Sequence, residues 1–150
     1  MSKKYELVAE DTITFFGWKL FRIRALISFG VVEKGELGGY IEDEKNLSQN
    51  GASWVSGNAK VWGNAKVSGN AEVSGNAEVR DLGDIIVFKN HWSSGRHFTY
   101  TKSNKMWKVG CFYGTSDELV KKAYKDSKKS GRYYKAYVDF VETLDQLSEE

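Results

Sequence analysis

Proline is absent from the chain and cysteine occurs once, as Cys111. A single thiol excludes an intramolecular disulfide framework and any cysteine-rich zinc site. No apolar run approaches the roughly 18 residues that a membrane-crossing helix needs. No stretch has the layout of a secretory signal. These absences set the expectation of a cytoplasmic chain with no membrane partner. Phosphate-loop, dinucleotide-binding, serine-hydrolase, zinc-protease and C-x-x-C motifs are all missing. The two histidines, His91 and His97, stand six apart with no cysteine or aspartate nearby to complete a zinc pattern. The expectation is therefore no metal, no cofactor and no catalytic residue. What remains, 150 residues with 41% hydrophobic and 28% charged, suits a folded domain rather than a disordered chain.

Acid is also missing locally. Residues 89–115 carry five Lys or Arg and no Asp or Glu, while residues 39–88 carry four against seven. The net charge of +2 hides this contrast.

Glycine is abundant, at fifteen, and its spacing is regular. Gly-Asn-Ala triplets begin at Gly57, Gly63, Gly69 and Gly75, six residues apart. Val55, Val61, Val67, Val73 and Val79 keep the same period, with Ser53, Ala59, Ala65, Ala71 and Ala77 as a column of small residues. Six residues fit neither an α-helix nor a simple hairpin. They fit a chain that turns at each Gly-Asn, where positive φ is tolerated. Ile41 and Leu47 keep the step upstream, and the register then shifts by two near Asn50-Gly51. The unit V-x-G-N-A-x resembles the hexapeptide repeat of left-handed parallel β-helices. That resemblance implies residues eighteen apart lying side by side, at the ordinary strand spacing of about 4.8 Å. Lys60 would then lie beside Glu78, and Trp62 beside Arg80 as a cation–π pair.

Before the repeat, residues 5–8, 12–16 and 18–26 are rich in strand formers, with turn signals at Glu10-Asp11 and Gly17. After it, residues 85–89, 96–101 and 105–113 read as strands. Thr115-Ser116-Asp117-Glu118 is a capping-box pattern that opens a helix to about residue 129. Ser130-Gly131 is expected to break it before a second helix over about 132–147. The expected fold is mainly β, a short left-handed parallel β-helix of about three coils. An N-terminal β cap would close one end, and a C-terminal β-hairpin with two helices would follow. The corresponding divisions are 1–38, 39–88 and 89–150.

The acid-free stretch is the site candidate. Trp92, Tyr100 and Trp107 offer flat faces for stacking a base, and Arg96, Lys102 and Lys108 offer charge for phosphates. Ser93-Ser94-Gly95 offers backbone N–H groups, with Ser94 as a ligand residue. These suit a nucleotide or another phosphorylated molecule, and also single-stranded nucleic acid. The alternative is a basic β-hairpin whose aromatics pack inside.

The chain as a whole resembles a group of small phage- and prophage-encoded hexapeptide proteins. The likeness lies in F-R-I-R-A-L (Phe21 to Leu26), L-G-G-Y-I-E (Leu37 to Glu42), N-L-S (Asn46 to Ser48), the G-N-A tract, and W-S-S-G-R through C-F-Y-G-T. It implies a phage-type origin and a host-cell cytoplasmic location. By analogy with small phage proteins, it also implies a non-catalytic binder that counteracts host defence by sequestering a nucleotide-like signal. Three other readings stay open: an inhibitor that binds a host defence protein, an acyltransferase of the hexapeptide type using His91 or His97, and a structural oligomerisation module. A homo-oligomer, a trimer by the family's habit, is expected, with Trp54 or Trp62 buried between subunits.

Overall fold

The computed structural model of the protein describes residues 3–149. The chain opens with a long hairpin, β1 (Tyr5–Phe15) and β2 (Trp18–Ala25), turned by Phe16 and Gly17 at positive φ. Glu10-Asp11 is not a turn. β1 stays one strand, and the ladder to β2 shifts register between Val8 and Thr12. β3 (Leu37–Ile41) pairs antiparallel with β2. The repeat then supplies four two-residue strands: β4 (Trp54–Val55), β5 (Lys60–Val61), β6 (Glu72–Val73) and β7 (Glu78–Val79). The basic region forms β8 (Ile85–Lys89), β9 (His97–Thr101), β10 (Met106–Val109) and β11 (Phe112–Thr115). Helices α1 (Ser116–Asp126) and α2 (Lys128–Ser148) close the chain.

These elements correct the expected architecture. The strands form three sheets: β1-β2-β3-β5-β7, β11-β10-β9-β8, and β4-β6. Most of the pairing is antiparallel, and residues 39–88 do not make a left-handed parallel β-helix. The first hairpin does not cap a coil; it lies edge to edge with β3 in the same sheet. The physical reason is strand length. Gly57, Gly63, Gly69 and Gly75 sit at φ between +62° and +65° and turn the chain after β4, β5, the Val67 bridge and β6 respectively. Parallel ladders are thereby held to two residue pairs each, while the antiparallel ladders outside the repeat run longer.

Within those short ladders the spacing is as expected. Val55 pairs with Val73 and Val61 with Val79, eighteen apart. Ile41 pairs with Val61 and Leu47 with Val67, twenty apart, which is the shift of two. Lys60 lies opposite Glu78, but its ammonium donates to the Asn58 carbonyl and sits over the Phe15 ring. Trp62 packs edge-on against Phe15 at 5.2 Å, not against Arg80.

The valine and alanine columns form one buried core with Tyr5, Ile23, Ile41 and Leu47. Gly38 and Gly39 are needed there for close approach. A Cβ on Gly39 would stand 2.6 Å from the Ala59 carbonyl oxygen, and one on Gly38 would stand 2.5 Å from that of Val55. A second core lies between the four-stranded sheet and the helices, built from Phe98, Tyr100, Trp107, Leu119, Ala123, Tyr134, Val138 and Val141. The capping box at Thr115 and Glu118 is formed as expected, with reciprocal bonds of 3.3 and 2.9 Å. The helix break falls earlier than expected, at Ser127, whose hydroxyl accepts from the Ser130 N–H. Gly131 is inside α2 and buried, and any Cβ there would enter the Tyr124 ring. Its role is close helix–helix contact. Among the described residues, no helix is long and apolar enough to cross a membrane.

Candidate functional site

Strand alternation decides which of the basic segment's side chains are available. On β9, Phe98 and Tyr100 face the helices, as do Trp107 and Val109 on β10. His97 and Thr99 on β9 and Lys108 on β10 take the opposite face, toward the repeat. Thr99 pairs across from Lys108, and its hydroxyl accepts from the Glu72 N–H at 3.0 Å.

The predicted stacking platform therefore does not assemble. Trp107 is fully buried and its indole N–H donates to Ser116 Oγ at 2.9 Å. Tyr100 is 2% exposed and donates to Asp145 at 2.7 Å, and burial pushes its phenol up from the ordinary value. Trp92 is half-buried, stacked on Tyr133 at 4.7 Å, and donates to Ser130 Oγ. Lys102 reaches Ser148 on α2, at the other end of β9. The Ser93-Gly95 turn uses its own N–H groups: Ser93 donates to the Asn90 side chain and Gly95 to the Asn90 carbonyl. Ser94 Oγ accepts from the Arg96 N–H.

Arg96 and Lys108 are brought together. Both line a cleft of about 390 Å³ between the basic sheet and the repeat, with His97 beside them. That volume is in the range of small-molecule sites, roughly 300–1,000 Å³. The facing wall carries Trp54, Glu72, Ser56, Val32 and Glu36. Burial pushes the Glu72 carboxyl up from its ordinary value, against the pull of Lys108 and Arg96. Trp54 is 4% exposed, and its indole N–H has no hydrogen-bond partner among the described residues. Lys108 donates to the Gly110 carbonyl, which steadies its ammonium at the rim. Gly110, at φ +55°, leaves room for the Arg96 guanidinium, which a Cβ would meet at 2.5 Å.

Arg96 also lines a second cleft, of about 310 Å³, with Ser94, Cys111, Lys122 and Tyr134. No group of three or more His, Cys, Asp or Glu suited to a metal ion occurs among the described residues.

Sequence reasoning missed Trp54, Glu72 and Glu36. Trp54 was expected between subunits, but Tyr5 and Phe29 cover it within the chain, at 6.4 and 5.3 Å. Trp62 is likewise buried in the chain. Glu72 occupies a variable position of the repeat, so nothing in the local pattern marks it. The signal that could have found it is the sequence contrast itself: an acid-free sheet next to an acid-rich tract. No protein-family model matches the chain, and no curated protein matches it. The functional reading therefore rests on the cleft.

Proposed function

We propose that the protein binds a small anionic ligand, of nucleotide-like or other phosphorylated chemistry, in the cleft of Arg96, His97 and Lys108. The observation that supports this is the convergence of Arg96, just before β9, and Lys108, on β10, on a cleft of small-molecule size. Two cations on one wall suit a phosphate. The indole of Trp54 offers an unused donor and, with Val32, an apolar surface for the rest of the ligand. Glu72 suits a ligand that also carries a donor, such as an amino group on a heterocycle.

The protein acts by retention of this ligand, not by turnover, and does so in the cytoplasm of a host cell, as the phage-type resemblance implies. Sequestration of a host signal is the biological reading. Self-association belongs to the same proposal.

Isothermal titration calorimetry with a panel of nucleoside mono- and diphosphates and inorganic phosphate tests the reading. Binding of at least one panel member is expected. Arg96→Ala or Lys108→Ala should weaken it by about tenfold or more, the loss of a charged hydrogen bond. Lys102→Ala and Trp92→Ala should leave it unchanged. Absence of binding across the panel, or binding indifferent to Arg96→Ala, overturns the reading.

A further inference from the structure

Opposite charges face each other across the cleft and do not pair. Arg96, His97 and Lys108 stand on the sheet side, and Glu72 stands on the facing wall. The ion pairs among the described residues lie elsewhere, and none joins Glu72 to Arg96 or Lys108. Both cations nevertheless pull on the Glu72 carboxyl and favour its ionised form, against its burial. They are near enough to be felt and too far to touch, so the space between them can hold a molecule.

Hydrogen-bonding capacity is unused on both sides. Among the described residues, the Glu72 carboxylate accepts from no donor and the Arg96 guanidinium donates to no acceptor. Each residue is fixed instead through its backbone N–H, Glu72 to Thr99 Oγ1 at 3.0 Å and Arg96 to Ser94 Oγ at 3.1 Å. Thr99 is also the residue that pairs with Lys108, so the backbones that carry the acid and the cation are tied to one point of the sheet. Trp54 lies beside Glu72 across β4 and β6, and its buried indole N–H has no partner.

This arrangement suits a ligand with an anionic end and, at its other end, donors for a carboxylate. Two cations match a terminal phosphate, which carries nearly two negative charges. A carboxylate has two oxygens and is best satisfied by two parallel N–H groups. Among the nucleobases, guanine alone carries two such donors side by side on one edge, at N1 and N2. Adenine and cytosine carry one amino group beside a ring nitrogen that is itself an acceptor and repels the second oxygen. Uracil carries a single N–H between two carbonyls. Guanine also has a carbonyl next to its donors, an acceptor of the kind the Trp54 N–H lacks.

We propose that the cleft selects a guanine nucleotide, with Glu72 accepting from the base and Arg96 and Lys108 holding the phosphate. The inference rests on the ligand reading above and names the base.

Calorimetry on the full chain with GMP, IMP, AMP and inorganic phosphate tests it. IMP is GMP without the 2-amino group, so the pair isolates the second donor. GMP is expected to bind about tenfold more tightly than IMP or AMP, the worth of one charged hydrogen bond. This comparison needs no variant. Glu72→Gln should weaken GMP binding about tenfold, because its amide sets a donor against a donor, and should not weaken inorganic phosphate. Equal or tighter binding of IMP or AMP, or GMP binding indifferent to Glu72→Gln, overturns the guanine assignment. The ligand reading survives that result if binding still depends on Arg96. Absence of binding by every member overturns both.

Discussion

Lys4 is the most unusual single residue outside the cleft. It is 2% exposed, and its ammonium donates to the Ser53 carbonyl at 2.7 Å over the ring of Phe29. Burial lowers its pKa to about 8. The folded value lies below the unfolded one, near 10.4. Between these two values the unfolded chain holds more protons, so stability rises with pH across that window, and the cost of Lys4 is greatest below about pH 8. Urea denaturation from about pH 7.5 to 10 should show the protein gaining ~1–3 kcal/mol relative to Lys4→Met. Parallel curves for the two proteins would show that Lys4 is not the cause. Glu72 is the counterpart inside the cleft. Its carboxylate opposes a bound anion, so Glu72→Gln should tighten binding of inorganic phosphate, which brings no amino group to it, about fivefold in the same calorimetric assay.

At the scale of elements, glycine divides what was legible from what was not. The corner glycines of the repeat announced themselves by period, and their positive φ follows from the Gly-Asn pair. Their consequence for strand length did not follow from the period alone. A turn every six residues leaves only two-residue strands, and the longer antiparallel hairpins on either side then dominate the sheets. Gly131 was misread because a glycine after a serine is an ordinary stop signal for a helix. Only the position of Tyr124 shows that it serves packing. Gly131→Ala should therefore destabilise the protein by about 1–3 kcal/mol through overpacking, although alanine is the better helix former. Chemical denaturation decides between the two effects by sign. Gly39→Ala should cost more, since its obstacle is a backbone carbonyl that has no rotamer to yield.

The site was legible in part, for the same reason of alternation. The acid-free segment forms the sheet that walls the proposed cleft, and Arg96 and Lys108 share that cleft. Period two, however, sends Tyr100 and Trp107 to the face opposite Lys108, so the aromatics and the cations could not serve one ligand together. The partner wall came from residues some twenty to sixty positions upstream, which no local pattern connects to β9.

Among the described residues the molecule has two large apolar centres and a small third one, Leu20, Tyr40 and Trp62, on the other face of the first sheet. Of the two large centres, one gathers residues from Tyr5 to Ile85 and the other residues from Ile86 to Val141. The contacts between them are polar and sparse, such as the Glu72 N–H on Thr99, the Glu78 N–H on Ser103, and Asn76 with Asn104. Damage to one centre should therefore spare the other. Trp107→Ala should cost about 3–5 kcal/mol. Hydrogen exchange should show the loss confined to β8–β11 and the two helices, with β3, β5 and β7 still protected. Uniform loss of protection would mean that the centres unfold as one.

Arg96 belongs to both clefts, with its guanidinium lodged beneath Gly110. The two cavities thus have a party wall of one side chain. A mutation that widens either one moves a boundary of the other. Selection on ligand fit in the first cleft will be recorded in the shape of the second, whatever the second contains.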